Sequence, residues 1–233
     1  MNLRLAAAGS AVFASLAASA QSAPPDGVPD TIEARLQACL PCHGQQGRGV
    51  ASAYFPRLAG KPSRYIFNQL VAFRDGRRKY APMNYLLAYL PDAYLSRMAD
   101  YYAQQPIPPA TPPRSASPEL LVQGQRLATN GDAKRGIPAC AACHGPQLSG
   151  REPGIPGLLG LRADYISSQL GAWRYGTRTS LAPDCMQQVA ARLTEQDVTA
   201  VADWLASQPV PPGGRPLAAG PARLPFECGS QRR

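Results

Sequence analysis

The chain repeats itself, and no other feature constrains its fold as much. Cys39-Leu40-Pro41-Cys42-His43-Gly44 returns as Cys140-Ala141-Ala142-Cys143-His144-Gly145, and Pro56-Arg57-Leu58-Ala59-Gly60 returns as Pro156-Gly157-Leu158-Leu159-Gly160. Tyr65, Ile66, Gln69, Leu70, Ala72, Arg74, Gly76 and Arg78 recur as the same residue types one hundred positions later. Ala99-Asp100-Tyr101 and Gln105-Pro106 match Ala202-Asp203-Trp204 and Gln208-Pro209. The small drift in register fits short insertions in loops, so the chain is a tandem duplication of a unit of roughly 85–100 residues.

The repeat sets the organisation. Arg4, an apolar stretch from Leu5 to Ala18 and the small-x-small site Ala18-Ser19-Ala20 read as an export signal over residues 1–20, cleaved before Gln21. That stretch is shorter than the ~20 apolar residues needed to span a bilayer. Residues 21–107 form the first unit, 108–118 a proline-rich spacer, 119–210 the second unit and 211–233 a Pro/Gly-rich tail. The signals within each unit are helical. Asp30 with Glu33 predicts a capped helix running into the first cysteine pair. Ile66, Leu70 and Phe73 share a face of a helix that Gly76 stops, and Thr194 with Asp197 opens a last helix striped by Val198, Val201 and Leu205. No stretch alternates with period two, so the fold class is all-α: two tandem domains joined by the spacer.

Cys-x-x-Cys-His is the attachment signature of c-type haem. Two thiols three residues apart on one turn can each form a thioether with a porphyrin vinyl group, and the following histidine lies under the iron. The rival readings are a redox-active dithiol or one zinc held by four cysteines. Neither explains a histidine directly after both motifs in an exported, duplicated chain. Two covalent haems also fill the thin cores of two small units, in which aromatics are only 7%. The chain has two histidines, His43 and His144, which excludes a His-rich metal site and any bis-His haem. Methionine is the usual remaining axial ligand of an electron carrier. Met83 and Met186 follow proline-containing loops at matching places in the repeats, whereas Met98 matches Val201 on an apolar helix stripe and reads as core.

Pro56 and Pro156, shortly after each histidine, are candidates to accept the proximal imidazole N–H through their carbonyls. Arg74, Arg78, Arg174 and Arg178 are candidates to hold haem propionates, the competing reading being a solvated basic helix end. Tyr65 and Tyr165 read as core aromatics rather than redox relays.

With the duplicated Cys-x-x-Cys-His, the Pro-Arg-Leu-Ala-Gly segment, the Tyr-x-x-x-Gln-Leu helix and the late methionine, the chain resembles the dihaem cytochrome c4 family over about residues 30 to 210. Gly136-Ile137-Pro138-Ala139 before the second motif is especially similar to that family's second domain. The resemblance implies two class I cytochrome c folds, His/Met ligation and periplasmic electron transfer towards a terminal oxidase. Two departures stand out. Tyr80-Ala81-Pro82-Met83-Asn84 replaces what is often a more acidic ligand loop, and Cys185 and Cys228 are the only cysteines outside the haem motifs. In an oxidising compartment these two are candidates for a disulfide tying the tail to the Met186 loop. The alternatives are Cys185 as a thiolate ligand to the second iron, or two free thiols.

The formal charge of +9 favours acidic protein partners or an anionic membrane surface, and excludes nothing about which haem receives the electron. Nucleic acid is not an expected partner of an exported haem protein. The expected partners are a donor such as a quinol-oxidising complex or a dehydrogenase, and an acceptor such as a haem–copper terminal oxidase. The main expectation is a carrier rather than an enzyme. The alternatives are an electron-transfer subunit of a periplasmic dehydrogenase, or a dihaem thiosulfate dehydrogenase-like enzyme using Cys185. A dihaem peroxidase lacks the spare histidine it would need.

Overall fold

A computed structural model describes residues 30–52, 54–109, 115–211, 213–220 and 223–231. The export signal of residues 1–20 and residues 110–114 of the spacer lie outside the described residues. From Thr31 onward the chain forms one unit built on two apolar cores.

The first core is enclosed by α1 (Ile32–Arg35), α2 (Leu40–His43), α3 (Ser63–Arg74), α4 (Ala81–Leu87) and α5 (Asp92–Gln104). Leu36, Ile66, Leu70, Phe73, Leu87, Leu95, Met98 and Tyr102 are buried in it, which gives Met98 the core role its repeat partner suggested. The second core is enclosed by α6 (Pro118–Thr129), α7 (Cys140–His144), α8 (Ala163–Arg174), α9 (Cys185–Ala190) and α10 (Glu195–Ser207). It buries Leu127, Ile137, Leu159, Leu170, Val198, Val201 and Leu205. Helices α2 to α5 thus recur as α7 to α10. Among the described residues the fold is all-α apart from a two-residue antiparallel ladder, β1 (Gly150–Arg151) with β2 (Ile155–Pro156), in the loop after α7.

The first helix departs from expectation. Thr31, not Asp30, is its N-cap, accepting a hydrogen bond from the Ala34 N–H at 3.2 Å. The helix ends at Arg35 rather than running into the cysteine pair, and a short 3-10 turn (Gln37–Cys39) precedes α2. Pro41 explains the break. It has no N–H to continue a helix and is tolerated in a first turn, where it opens α2.

The other ends follow the local sequence. Gly76 and Gly176 take φ of +74° and +70° after α3 and α8, a conformation a Cβ would strain. Thr194 and Asp197 form a reciprocal capping box at the start of α10. The Asp197 carboxylate is nearly buried and also accepts from Gln123 of α6 at 2.9 Å and from Arg135 at 2.6 Å.

Helices α6 and α10 cross in close contact, and Gly124 lies at the crossing. A Cβ there would sit 2.1 Å from the Ala200 carbonyl oxygen and 2.7 Å from the Trp204 side chain. Gly124→Ala should therefore destabilise the second core by about 1–3 kcal/mol despite alanine's better helix propensity. Denaturant unfolding of the haem-loaded protein measures this, and an unchanged midpoint would contradict the close crossing.

Candidate functional site

Each histidine closes a short helix and is buried, His43 at the end of α2 and His144 at the end of α7. His43 Nδ1 lies 3.1 Å from the Pro56 carbonyl oxygen, and His144 Nδ1 lies 2.7 Å from that of Pro156. A carbonyl only accepts, so each Nδ1 carries the proton and donates it. The Nε2 lone pair is left as the ligating atom. Burial pushes both imidazoles below their ordinary pKa, which keeps them neutral, the state a metal requires.

The first thiol of each pair sits one turn before the histidine and the second directly before it. Burial pushes the Cys140 thiol up to about 11 and raises Cys39 and Cys143 as well. A buried thiol held protonated is a poor exchange nucleophile, which weighs against the dithiol reading. Among the described residues no three His, Cys, Asp or Glu side chains converge as a metal-binding set.

Beside the second pair lies a cavity of about 500 Å³, large enough for an organic cofactor. Its walls include Cys140, Cys143, His144 and Met186 together with Leu170 and Val201, and its rim reaches Lys61, Tyr65 and Arg178. Met83 packs against the first core and Met186 against the second. An apolar chamber with a thiol pair and a neutral imidazole on one wall, a thioether in its lining and cations at its rim matches haem c. The fit extends to the anionic edge of that group.

That edge explains an otherwise costly arrangement. Arg57, Lys61 and Arg178 are buried between the two repeats, with Arg78 half-buried beside them. Their hydrogen bonds go to neutral oxygens. Arg57 donates to the Leu159 carbonyl at 3.0 Å and Lys61 to that of Gly157 at 3.2 Å. Arg78 reaches Gln69 of its own repeat and Tyr165 and Gln169 of the other, at 3.1, 3.0 and 2.7 Å. Arg178 mirrors it on Gln169, Tyr65 and Gln69, at 2.8, 3.2 and 2.7 Å. The backbones pair in the same sense, Lys79 N–H to the Thr177 carbonyl at 3.2 Å and Thr179 N–H to that of Arg77 at 2.7 Å. The duplication has produced a local two-fold.

Burial lowers Arg57 to about 10 and carries Lys61 well below the usual ammonium range, with Arg57 next to it adding to the effect. Cations are seldom buried without anions. Arg57 Nε and the Trp173 indole N–H, moreover, are buried without a hydrogen-bond partner. Haem carboxylates would supply anions of the kind such a cluster calls for.

The four candidate arginines divide. Arg74 is bound by Asp92 at 2.6 Å and Asp75 at 3.2 Å, and Arg174 stacks on the ring of Tyr175 at 5.7 Å. Both are helix-end residues: Arg74 lines the cavity and has carboxylate partners, Arg174 lies along an exposed aromatic ring, and for both the propionate role stays an expectation from the sequence. Arg78 and Arg178 remain candidates. Tyr65 and Tyr165 line the cores as expected, but their hydroxyls also accept from the arginine of the other repeat. Sequence reasoning missed Lys61, Arg57 and the Gln69/Gln169 pair. The one available signal was that Tyr and Gln persist at matching positions in both repeats although neither is an apolar core residue.

Cys185 and Cys228 form a disulfide with Cα atoms 5.1 Å apart. This removes the reading of Cys185 as a thiolate ligand. The tail then lies along α9. Gly229 N–H donates to the Pro183 carbonyl at 2.9 Å, and Arg192 sits over the Phe226 ring at 5.4 Å. The tail also receives a hydrogen bond from Asn68 and gives one from Gln231 to the Gly154 carbonyl. With a sequence separation of 43, chain entropy predicts that Cys228→Ser costs about 4 kcal/mol in unfolding free energy. Denaturant titration measures the loss, and dithiothreitol should reproduce it in the parent but not in the variant.

A protein-family model described as Cytochrome c matches residues 121–209. The chain is 38% identical to the thiosulfate dehydrogenase electron acceptor of Thiomonas intermedia, over 87% of this chain and 88% of that one. It is 36% identical to cytochrome c4 of Pseudomonas aeruginosa, over 74% and 85%. The crystal structure of reduced recombinant cytochrome c4 from Pseudomonas stutzeri superposes with a TM-score of 0.66 at 32% identity, over 76% of this chain and 96% of that one.

Proposed function

The chain belongs to the dihaem cytochrome c4 family, and we propose on that premise that it is a periplasmic carrier taking electrons from a respiratory or dehydrogenase donor to a terminal oxidase. It is an electron-transfer cytochrome with two covalently bound haems c. When bound, haem supplies a one-electron iron couple. The chain's own residues do the rest. Cys39 and Cys42, and Cys140 and Cys143, hold one haem each by thioether bonds. His43 and His144 ligate through Nε2, their rings fixed by the Pro56 and Pro156 carbonyls. Met83 and Met186 would complete the two sets, a thioether ligand being one that raises the potential of the couple. Arg78 and Arg178 take the propionates between the repeats.

The observation that carries this reading is the duplicated set itself: in each repeat a buried imidazole bonds a proline carbonyl, while a cysteine of the thiol pair and a methionine pack against an apolar core. The disulfide at Cys185 supports a carrier over an enzyme, since the thiolate that an enzyme reading needs is occupied. Export to the periplasm rests on the signal read at residues 1–20. The relative from Thiomonas intermedia is named as the electron acceptor of thiosulfate dehydrogenase, which supports a dehydrogenase as the donor here. The acceptor under this proposal is a haem–copper oxidase.

The near-infrared spectrum of the oxidised, haem-loaded protein tests the ligand sets through the weak methionine-to-ferric charge-transfer band. The expected intensity corresponds to two such bonds per chain, falling by half in Met83→Ala and in Met186→Ala. In a separate assay the isolated protein should not turn over thiosulfate with ferricyanide as acceptor. Turnover would make the chain an enzyme.

A further inference from the structure

Because the chain is a duplication, the helix bearing each methionine occurs twice, and the rest of the fold treats the two copies differently. On α4, Met83 and Leu87 face the first core, and Leu90 joins them just past the helix end. Pro82, Tyr85 and Leu86 on the helix, with Tyr89 in the turn that follows it, form the opposite stripe. There Tyr85 is 81% exposed, Leu86 53% and Tyr89 95%. The stripe continues across the N-cap of the helix, where Tyr80 stacks on the exposed Tyr54 with ring centroids 5.9 Å apart.

On α9 the matching positions are Gln188, Val189 and Arg192, and the chain covers that helix itself. The disulfide, Phe226 against Arg192 and the Gly229–Pro183 hydrogen bond hold the tail there. One methionine helix is closed by its own tail, while the other presents tyrosine and leucine to solvent.

Charge indicates what covers the open face. Exposed Lys79 adjoins Tyr80 in the chain, and exposed Arg48 lies six residues before Tyr54. Between residues 34 and 91 the only acidic side chain is Asp75, and it is held by Arg74 and Arg77. An exposed apolar stripe with tyrosines at its centre and basic residues beside it has the composition of a protein-binding surface for an acidic partner.

We propose that the outer face of α4 is the docking site for a redox protein whose contact surface is apolar at its centre and acidic at its rim. Electrons are exchanged with that partner through the first unit, while the tail closes the equivalent face of the second. The proposal rests on the electron-carrier reading above.

The test compares the haem-loaded protein with Tyr85→Ser/Leu86→Ser/Tyr89→Ser and with a control, Val122→Ser/Tyr175→Ser, which removes exposed apolar side chains from the second unit. The readout is the second-order rate of reduction by a reduced plant-type ferredoxin, an acidic probe protein, against the rate with ascorbate. The triple variant should lose at least tenfold with ferredoxin, with its ascorbate rate, visible spectrum and unfolding midpoint unchanged and the control within twofold of the parent. Arg48→Glu/Lys79→Glu should lose a similar factor and flatten the dependence on salt. A ferredoxin rate unaffected by the triple variant, or lowered as much by the control, overturns the proposal. It is also overturned if the parent sediments as a dimer that the triple variant abolishes, or floats with phosphatidylglycerol vesicles where the variant does not. Those outcomes assign the face to a second copy or to lipid. If neither reductant reduces the parent, the carrier reading itself has failed, and the docking proposal fails with it.

Discussion

Positive charge buried between the two repeats is the constraint around which the molecule is arranged. Arg57, Lys61 and Arg178 lose most of their water there, and their partners are carbonyl, tyrosine and glutamine oxygens. Removing such ions from water costs several kcal/mol each unless anions meet them. On the proposed reading haem propionates are those anions, so loading of cofactor and docking of the two units are one event. The same residues link the repeats in both directions, since Arg78 and Arg178 each bond the tyrosine and glutamine of the opposite unit.

Duplication supplied this symmetry, and the later differences between the repeats give the molecule a direction. Lys61 has Leu161 as its counterpart, so the extra buried charge comes from the first repeat and bonds the Gly157 carbonyl, next to the proline that holds His144. The second unit has a full-length α6, packed closely against α10 at Gly124, where the described residues of the first begin with the single turn α1. It also gains the tail. The two units share a ligand pattern but not a surface, and it is the surface that partners meet.

Most of the chemistry was legible in the chain. Cys-x-x-Cys-His is a strong signal because its spacing is imposed by bond formation on one helical turn, independently of the fold around it. The Thr194/Asp197 box and the stops at Gly76 and Gly176 are equally local, and they lie where the sequence places them. The first helix was harder. Asp30 and Thr31 are both good caps, and Pro41 limited the helix through a backbone effect that side-chain pattern does not display. The arginines were harder still. Arg74 and Arg78 lie one turn apart and recur alike, yet one meets Asp92 and the other crosses to a different repeat.

The sequence by itself determined the haem-attachment motifs, the duplication and the helical class, because these depend on residue type and on spacing within a turn or two. Tertiary structure alone decided which cations are buried, which oxygens they find, and that the tail covers α9 while α4 stays open. Those outcomes depend on residues some 40 to 110 positions apart coming together. Such proximity carries no local signature, since burial is a property of the assembled surface and not of any one segment.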